Sequence, residues 1–427
     1  MSIAPYRAVL RLPGVARLLI FAVVARIPQT ASTVALTLYV VGRLGRGYGA
    51  AGLVGMAATV GMAASGPWRG RAVDRRGLRR SMVPAVIGSA VSWAAAPFVG
   101  FVPLIGVAFL GGVLGVPIFG VVRQSLSVLV PAEQRRTAYA LDSIGTEISF
   151  MVGPAAGVLL ATQLSPTVAL LAVGTGAVLA GLALIVLDPP TRSPQAPAPG
   201  PIAGVGPDGP VEPTTRRGRA HWYTPALLAV LAATLAGGLV LAGTDVALVA
   251  YLREAGALSL TGLVFLAWSA GSVLGGAVYG ALHRTIPPAA LLLVMAVLTV
   301  PVGLVPSPAL LALTILPAAA LCAPLLSSTA EAVSRLVPER ARGEAMGWHG
   351  SAITVGSALG APLSGAAIDA VAPWAGFAAV GSVGGVLAAV GLVLLRRRRR
   401  PPAGVRDVPD APEAGLPGVE REVSTTW

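Results

Sequence analysis

The chain has 427 residues, 55% of them apolar and only 11% charged, whereas a soluble domain carries about a quarter charged residues. Such a composition cannot coat a water-facing surface, which excludes an ordinary soluble enzyme or binding module. The net charge of +13 comes entirely from arginine, because the chain contains no lysine; with no lysine there is no P-loop lysine either, so the chain is not an ATPase on its own.

Arg7, Arg11 and Arg17 precede an apolar run of about 24 residues, longer than the core of a cleaved signal peptide and therefore expected to stay as a first spanning helix. Crossing a hydrocarbon core of about 30 Å takes about 20 apolar residues. That criterion places spans near 18 to 41, 49 to 68, 82 to 101, 103 to 128, 138 to 162 and 166 to 187. A second set follows near 225 to 251, 258 to 282, 288 to 305, 308 to 334, 345 to 370 and 374 to 395. The joints at Val102-Pro103 and Ser307-Pro308 are short enough to demand tight hairpins.

Between Asp188 and Tyr223 the composition turns to proline, glycine and charge, which can neither build a core nor span lipid. The chain therefore divides into an N-terminal six-helix bundle (1 to 187), a cytoplasmic Pro/Gly-rich linker (188 to 224), a C-terminal six-helix bundle (225 to 395) and a cytoplasmic arginine-rich tail (396 to 427). The tail is expected to be disordered and to rest on anionic headgroups. With the N-terminus cytoplasmic, every arginine falls on an inner segment except Arg43, Arg46 and Arg253 on outer loops and Arg26 within a span. That asymmetry sets the orientation, with both termini inside, and accounts for the basic balance without nucleic acid.

The two halves repeat. A shift of 210 aligns Gly52, Gly61, Gly66 and Gly70 with Gly262, Gly271, Gly276 and Gly280, and a shift of 207 pairs Pro117 with Pro324, Val130-Pro131 with Val337-Pro338 and Gly153 with Gly360. Val34-Ala35-Leu36 and Val246-Ala247-Leu248 match too, each followed at equal distance by a tyrosine, Tyr39 or Tyr251. Duplicated bundles on a flexible linker are the layout of a two-domain rocker, with a site between the halves near the midplane.

The loop after the second span runs Gly70-Arg71-Ala72-Val73-Asp74-Arg75-Arg76-Gly77-Leu78-Arg79-Arg80. It resembles motif A of the major facilitator superfamily, matching at Gly70, Asp74, Arg75, Gly77, Arg79 and Arg80 and departing at Leu78. Physically, Gly70 permits close helix approach, Gly77 permits a tight turn, and Asp74 can meet the arginines and the positive end of a facing helix. The resemblance makes that helix the eleventh, beginning near Glu344, and makes the contact a latch on the outward-open state. The second-half copy keeps Gly280 but has Arg284 in the aspartate position, so its latch should be weaker. Gly153-Pro154-Ala155-Ala156-Gly157 in the fifth span resembles the core of motif C of the antiporter branch, with Ser149 and Val158 where the fuller motif has glycine. Its small residues are expected to pack closely across the two halves; ordinary helix packing explains them as well.

Ionisable residues inside spans are functional candidates by default. Arg26 and Glu147 lie at a similar depth of about 13 Å from the inner side and are expected to pair, either with Glu147 exchanging protons or as a static structural pair. Asp245, in the outer half of the seventh span, either faces the cavity as a proton or cation site or is hydrogen-bonded near the outer interface. Arg123 and Asp142, near the inner ends of consecutive helices, are expected to touch and to extend the Asp74 and Arg79 cluster as gate residues. Glu331 and Arg335 have the spacing of a local ion pair, His349 is expected to be hydrated, and Cys322, the only cysteine, is read as packing. The histidines His221, His283 and His349 are scattered, so no metal or other cofactor is expected.

The resemblance implies an all-α integral membrane protein of twelve transmembrane helices in two pseudo-symmetric bundles, a transporter rather than an enzyme. The expected function is proton-coupled efflux of amphipathic small molecules from a monomer in a bacterial plasma membrane. The alternatives are a uniporter or importer of a metabolite, and a receptor or scaffold that keeps the fold without transporting.

Overall fold

A computed structural model of the protein describes residues 4–193, 222–282 and 284–399. His221, His283, most of the expected linker (194–221) and the tail from residue 400 lie outside the described residues. Twelve helical segments carry the fold: α1 (Val15–Gly42), α2 (Tyr48–Arg76), α3 (Leu78–Ala95), α4 (Phe101–Leu129), α5 (Arg135–Gln163) and α6 (Pro166–Leu187), then α7 (Pro225–Glu254), α8 (Thr261–Ala281), α9 (Pro288–Thr299), α10 (Pro308–Leu336), α11 (Arg342–Ala370) and α12 (Pro373–Arg399). A short helix, Ala4–Leu10, precedes them. Among the described residues eleven helices are long and apolar enough to cross a membrane, and α9, with the turn that extends it to Leu304, is shorter. No strand occurs among the described residues.

The joints alternate between two faces. The near face carries the Ala4–Leu10 helix, the α2–α3 turn, the residues after α6 and the α10–α11 turn; the far face carries the α1–α2, α5–α6, α7–α8 and α11–α12 joints. Gly77, at a φ of 78°, makes the sharp α2–α3 turn that a side chain would strain. The α3–α4 hairpin turns at Val99–Gly100, a few residues before Pro103, whereas the α9–α10 hairpin ends at the expected joint, Ser307-Pro308. Ser307 caps α10 by accepting the Leu310 amide.

Two helices are interrupted. α4 breaks between Leu114 and Ile118, and α10 breaks around Ile315 and again before Cys322. A single continuous span from 103 to 128 was expected from the sequence; Gly115, Val116 and Pro117 interrupt it, because Gly115 is extended and Pro117 supplies no amide. Under the 207-residue repeat, Gly115 falls on Cys322, so each half breaks the same helix at an equivalent place. The repeat also holds in detail at the tyrosines. Tyr39 donates its hydroxyl to the Pro97 carbonyl at 2.8 Å, and Tyr251 donates to Val305 at 2.6 Å, each tying a bundle's first helix to the equivalent hairpin.

Both halves have their own apolar cores. Leu18, Met82, Leu126 and Tyr139 anchor one end of the first half, Tyr39, Val54, Leu104 and Leu170 the other. Leu239, Leu292, Met295 and Val380, then Leu248, Leu311, Ile315 and Phe377, do the same in the second. Large apolar side chains such as Ile20, Val186 and Leu274 point outward, the arrangement of a bundle whose surroundings are hydrocarbon rather than water.

Candidate functional site

The halves meet along two seams that the repeat makes equivalent: α2 against α11, and α8 against α5. On the first, Gly66 and Gly70 face Gly347 and Gly343 so closely that a Cβ at Gly70 would stand 1.9 Å from the Gly343 carbonyl oxygen. This backbone approach brings Asp74 under the start of α11, where its carboxylate accepts the Gly343 amide at 2.9 Å and the Glu344 amide at 2.8 Å. A carboxylate there satisfies orphan helix amides and meets the positive end of the dipole. Gln124 of α4 adds a third bond to Asp74 at 2.9 Å and also reaches the Thr191 carbonyl. The arginines of the loop do not join Asp74. Arg79 pairs with Asp188 at 2.9 Å on the surface, while Arg75 and Arg80 are exposed. Arg71 pairs with Glu344, which also accepts from Tyr223 at 2.9 Å.

On the second seam Gly280 packs against Ala140, and Thr137 donates to the Gly280 carbonyl at 2.7 Å. Shifting by 207 turns Thr137 and Ala140 into Glu344 and Gly347, so this seam is the first one repeated. Among the described residues no carboxylate caps it, since Arg284 takes the place of Asp74.

Arg26 is completely buried, and it pairs not with Glu147, as its depth suggested, but with Asp142, at 2.7 Å, while also donating to Thr146 at 3.0 Å. Its guanidinium lies 4.5 Å from the centre of the Phe119 ring. The other oxygen of Asp142 accepts Arg123 Nε at 3.1 Å, so one carboxylate bridges two buried guanidinium groups. The network then departs from the expected Asp74 and Arg79 cluster and runs to His349, which is buried rather than hydrated. Arg123 Nη1 stands 3.4 Å from His349 Nδ1, and His349 Nε2 lies 2.9 Å from the Thr329 hydroxyl. A guanidinium offers only donors, so Nδ1 accepts and Nε2 carries the hydrogen. This chain of contacts joins α1, α5 and α4 of the first half to α11 and α10 of the second.

Glu147 points the other way, toward the second half. Its Oε1 accepts the Ser272 hydroxyl of α8 at 2.9 Å and the Cys322 thiol of α10 at 3.2 Å. Cys322 therefore does more than pack. Both partners are neutral, and no cation pairs with Glu147 within 4 Å among the described residues. Beyond Glu147, toward the far face, Asp245 lines a cavity of about 980 Å³ in the second half, together with Arg253, Phe265 and Asp369.

The glycines of the motif C-like segment pack within one half and not across two. A Cβ at Gly153 would lie 1.9 Å from the Thr30 hydroxyl, and one at Gly157 would lie 3.2 Å from the Ala31 carbonyl, both on α1. Pro154 sits between them inside α5. Glu331 and Arg335 pair along their own helix at 2.7 Å. Gln124, Ser272, Thr329 and Tyr223 were not singled out from the sequence. Gln124, beside Arg123 in an apolar span, carried the only signal, that of an uncharged polar group placed where lipid or core was expected.

Among the described residues, every side-chain hydrogen bond between the halves lies toward the near face or close to mid-depth, Ala63 and Glu147 marking its limit. The hydrogen bonds that hold the two bundles together are thus confined, among the described residues, to one side of the membrane and mid-depth. The family model of the major facilitator superfamily matches residues 18–305 and 246–425. The chain belongs to this superfamily, a family of multi-pass membrane transporters. Its fold is similar to the human organic anion transporter TETRAN, with a TM-score of 0.66 at 18% identity over 90% of this chain and 100% of that one. It is also similar to a bacterial homologue of the iron transporter ferroportin in an outward-facing state, with a TM-score of 0.68 at 16% identity over 90% and 99%. The proton:xylose symporter XylE aligns with a TM-score of 0.64 at 14% identity over 90% and 95%. No curated protein sequence matches the chain.

Proposed function

We propose that this superfamily member is a secondary active exporter that moves amphipathic compounds by alternating access, with protons as the coupling ion and Glu147 as the exchanging group. The near face is cytoplasmic on this reading, since it carries nearly all the arginine, and the closed near-face seams then describe an outward-open conformer. The observation that carries the reading is Glu147 itself. It is a buried carboxylate at the contact of the two halves, held by a hydroxyl and a thiol and by no cation.

A charged carboxylate in such a place is costly, and a proton removes the cost. Because Ser272 and Cys322 belong to the opposite half, tilting the halves apart takes both donors away from Glu147 at once. Its proton occupancy is thereby tied to which face is open. Asp245 contributes the substrate end of the cycle. It lies in a large cavity on the far side whose walls combine Val249, Phe265 and Ile368 with Arg253, Glu254 and Asp369, and an excess of carboxylates over cations on largely apolar walls suits a cationic compound with a hydrophobic body.

A toxicity and accumulation screen in cells with and without the gene, each with and without an uncoupler, identifies the compounds. In vesicles holding the purified protein, an imposed proton gradient should drive uptake of a compound so identified. Glu147→Gln should abolish the gradient-driven component while leaving compound-for-compound exchange. Unchanged gradient-driven uptake in Glu147→Gln would remove Glu147 from the coupling.

A further inference from the structure

A second polar site lies inside the first bundle, away from both seams. α1, α2, α3 and α4 enclose a cavity of about 120 Å³, with Arg69, Gln29, Ser89, Ser92, Met62 and Trp93 on its wall. Arg69 is buried, with 9% of its surface exposed. The break in α4 explains part of its placement, because the freed Gly115 carbonyl accepts Arg69 Nη1, and Nη2 reaches the Met62 carbonyl at 3.4 Å. Carbonyl oxygens are neutral, however, and leave the guanidinium charge standing. No carboxylate lies within 4 Å of it among the described residues, and its Nε hydrogen has no acceptor. Gln29, which also touches Met62, has only a sulfur contact at 3.8 Å for its amide nitrogen and nothing for its oxygen. Rotating that amide exchanges its donor and acceptor ends.

Two other buried arginines of the first bundle, Arg26 and Arg123, both meet a carboxylate, that of Asp142, whereas Arg136, at the near end of α5, is buried without one within 4 Å among the described residues. A lone buried cation is among the most expensive groups a membrane bundle can hold, and it is tolerated where a counter-charge is available. The space is adequate for a small ion with some water, since one water takes about 30 Å³ of liquid volume.

We infer that this cavity is a binding site for one small monovalent anion of halide type, held by Arg69 Nε with the amide of Gln29 and the hydroxyls of Ser89 and Ser92 completing its shell. The ion is a structural counter-charge for the first bundle, separate from the transported compound.

The test uses the full-length protein purified in detergent, melted in sodium gluconate and in sodium chloride at equal ionic strength. Chloride should raise the melting temperature in a saturable way, by about 3 °C at the plateau, and bromide should substitute for it. Arg69→Gln should abolish the chloride dependence. Crystals soaked in bromide should give an anomalous peak beside Arg69, a readout that holds even if Arg69→Gln fails to fold. Identical melting in the two salts together with no bromide peak overturns the inference, leaving Arg69 hydrated only. A chloride effect that survives in Arg69→Gln, or a bromide peak elsewhere alone, overturns it as well, because the ion then binds at another place.

Discussion

Replacing Gly70 by alanine adds one methyl group at the tightest point of the α2–α11 seam. That carbon would stand 1.9 Å from the Gly343 oxygen, 2.4 Å from its carbonyl carbon and 2.9 Å from the Glu344 nitrogen. All three are backbone atoms, so no side-chain rotation relieves the clash. An ordinary carbon to oxygen contact is about 3.3 Å, so the two helices must part by about 1.4 Å at this level. Asp74 hangs one turn below, and the same displacement stretches its bonds to the Gly343 and Glu344 amides, now 2.9 and 2.8 Å, to about 4 Å, where a hydrogen bond no longer exists. Each bond to a charged acceptor contributes about 1.5 to 3 kcal/mol. With water partly replacing them, a net loss of about 3 kcal/mol is expected, which moves a two-state equilibrium by roughly a hundredfold. Spin labels at Arg76 and Arg340 report the near face, and labels at Tyr48 and Val371 the far face, all four being exposed positions. In the parent protein the near-face distance should be short and narrowly distributed. In Gly70→Ala a longer near-face population should appear as the far-face distance shortens. An unchanged pair of distributions would refute the claim that this contact holds the near face shut.

Three further outcomes separate the buried contacts from the surface ones. Asp142→Asn leaves Arg26 and Arg123 buried with no opposing charge, so the purified protein should lose about 3 to 5 kcal/mol in a denaturation series; a loss below 1 kcal/mol would mean that the bridge is not what compensates them. Gly153→Ala pushes a methyl group into Thr30, whose hydroxyl serves the Ser149 carbonyl at 2.8 Å, and should cost about 1 to 3 kcal/mol. Gly157→Ala, with 3.2 Å to spare, should cost visibly less in the same melting experiment, and equal costs would contradict the packing described. Arg79→Ala removes a pair that is solvent-exposed on both sides and should leave thermal stability and the label distances unchanged within error.

The spans were legible because bilayer thickness imposes a length and an apolarity on each segment, both of which are local properties of the sequence. The repeat was legible because glycines and prolines at seams and breaks tolerate few replacements. What the sequence did not fix was rotation. Arg26 and Glu147 stand at comparable depths, which made a pair of them reasonable. On α5, however, Asp142 and Thr146 are four residues apart and share a face, while Glu147 is turned a further 100° away from that face. Arg26 takes the first two and Glu147 looks across to α8 and α10. The same lack of rotational information sent the small residues near Pro154 to the wrong neighbour, since a stripe of glycine declares close packing but not its partner. His349 departs from expectation for a different reason. Its distance from the helix end suggested water, but the closed seam covers it with Arg123 and Thr329.

The short Ala4–Leu10 helix precedes the first bundle in the chain yet reaches the second, where the Tyr6 hydroxyl donates to the Ala277 carbonyl and abuts Gly280. Only a few residues, including the left-handed Gly14, connect it to α1. Under the alternating-access reading proposed above, it must ride with one bundle or the other as they tilt, and it cannot follow both. A bulky fusion placed ahead of Ala4 would load this small clasp directly, so tags intended as passive handles belong elsewhere on the molecule.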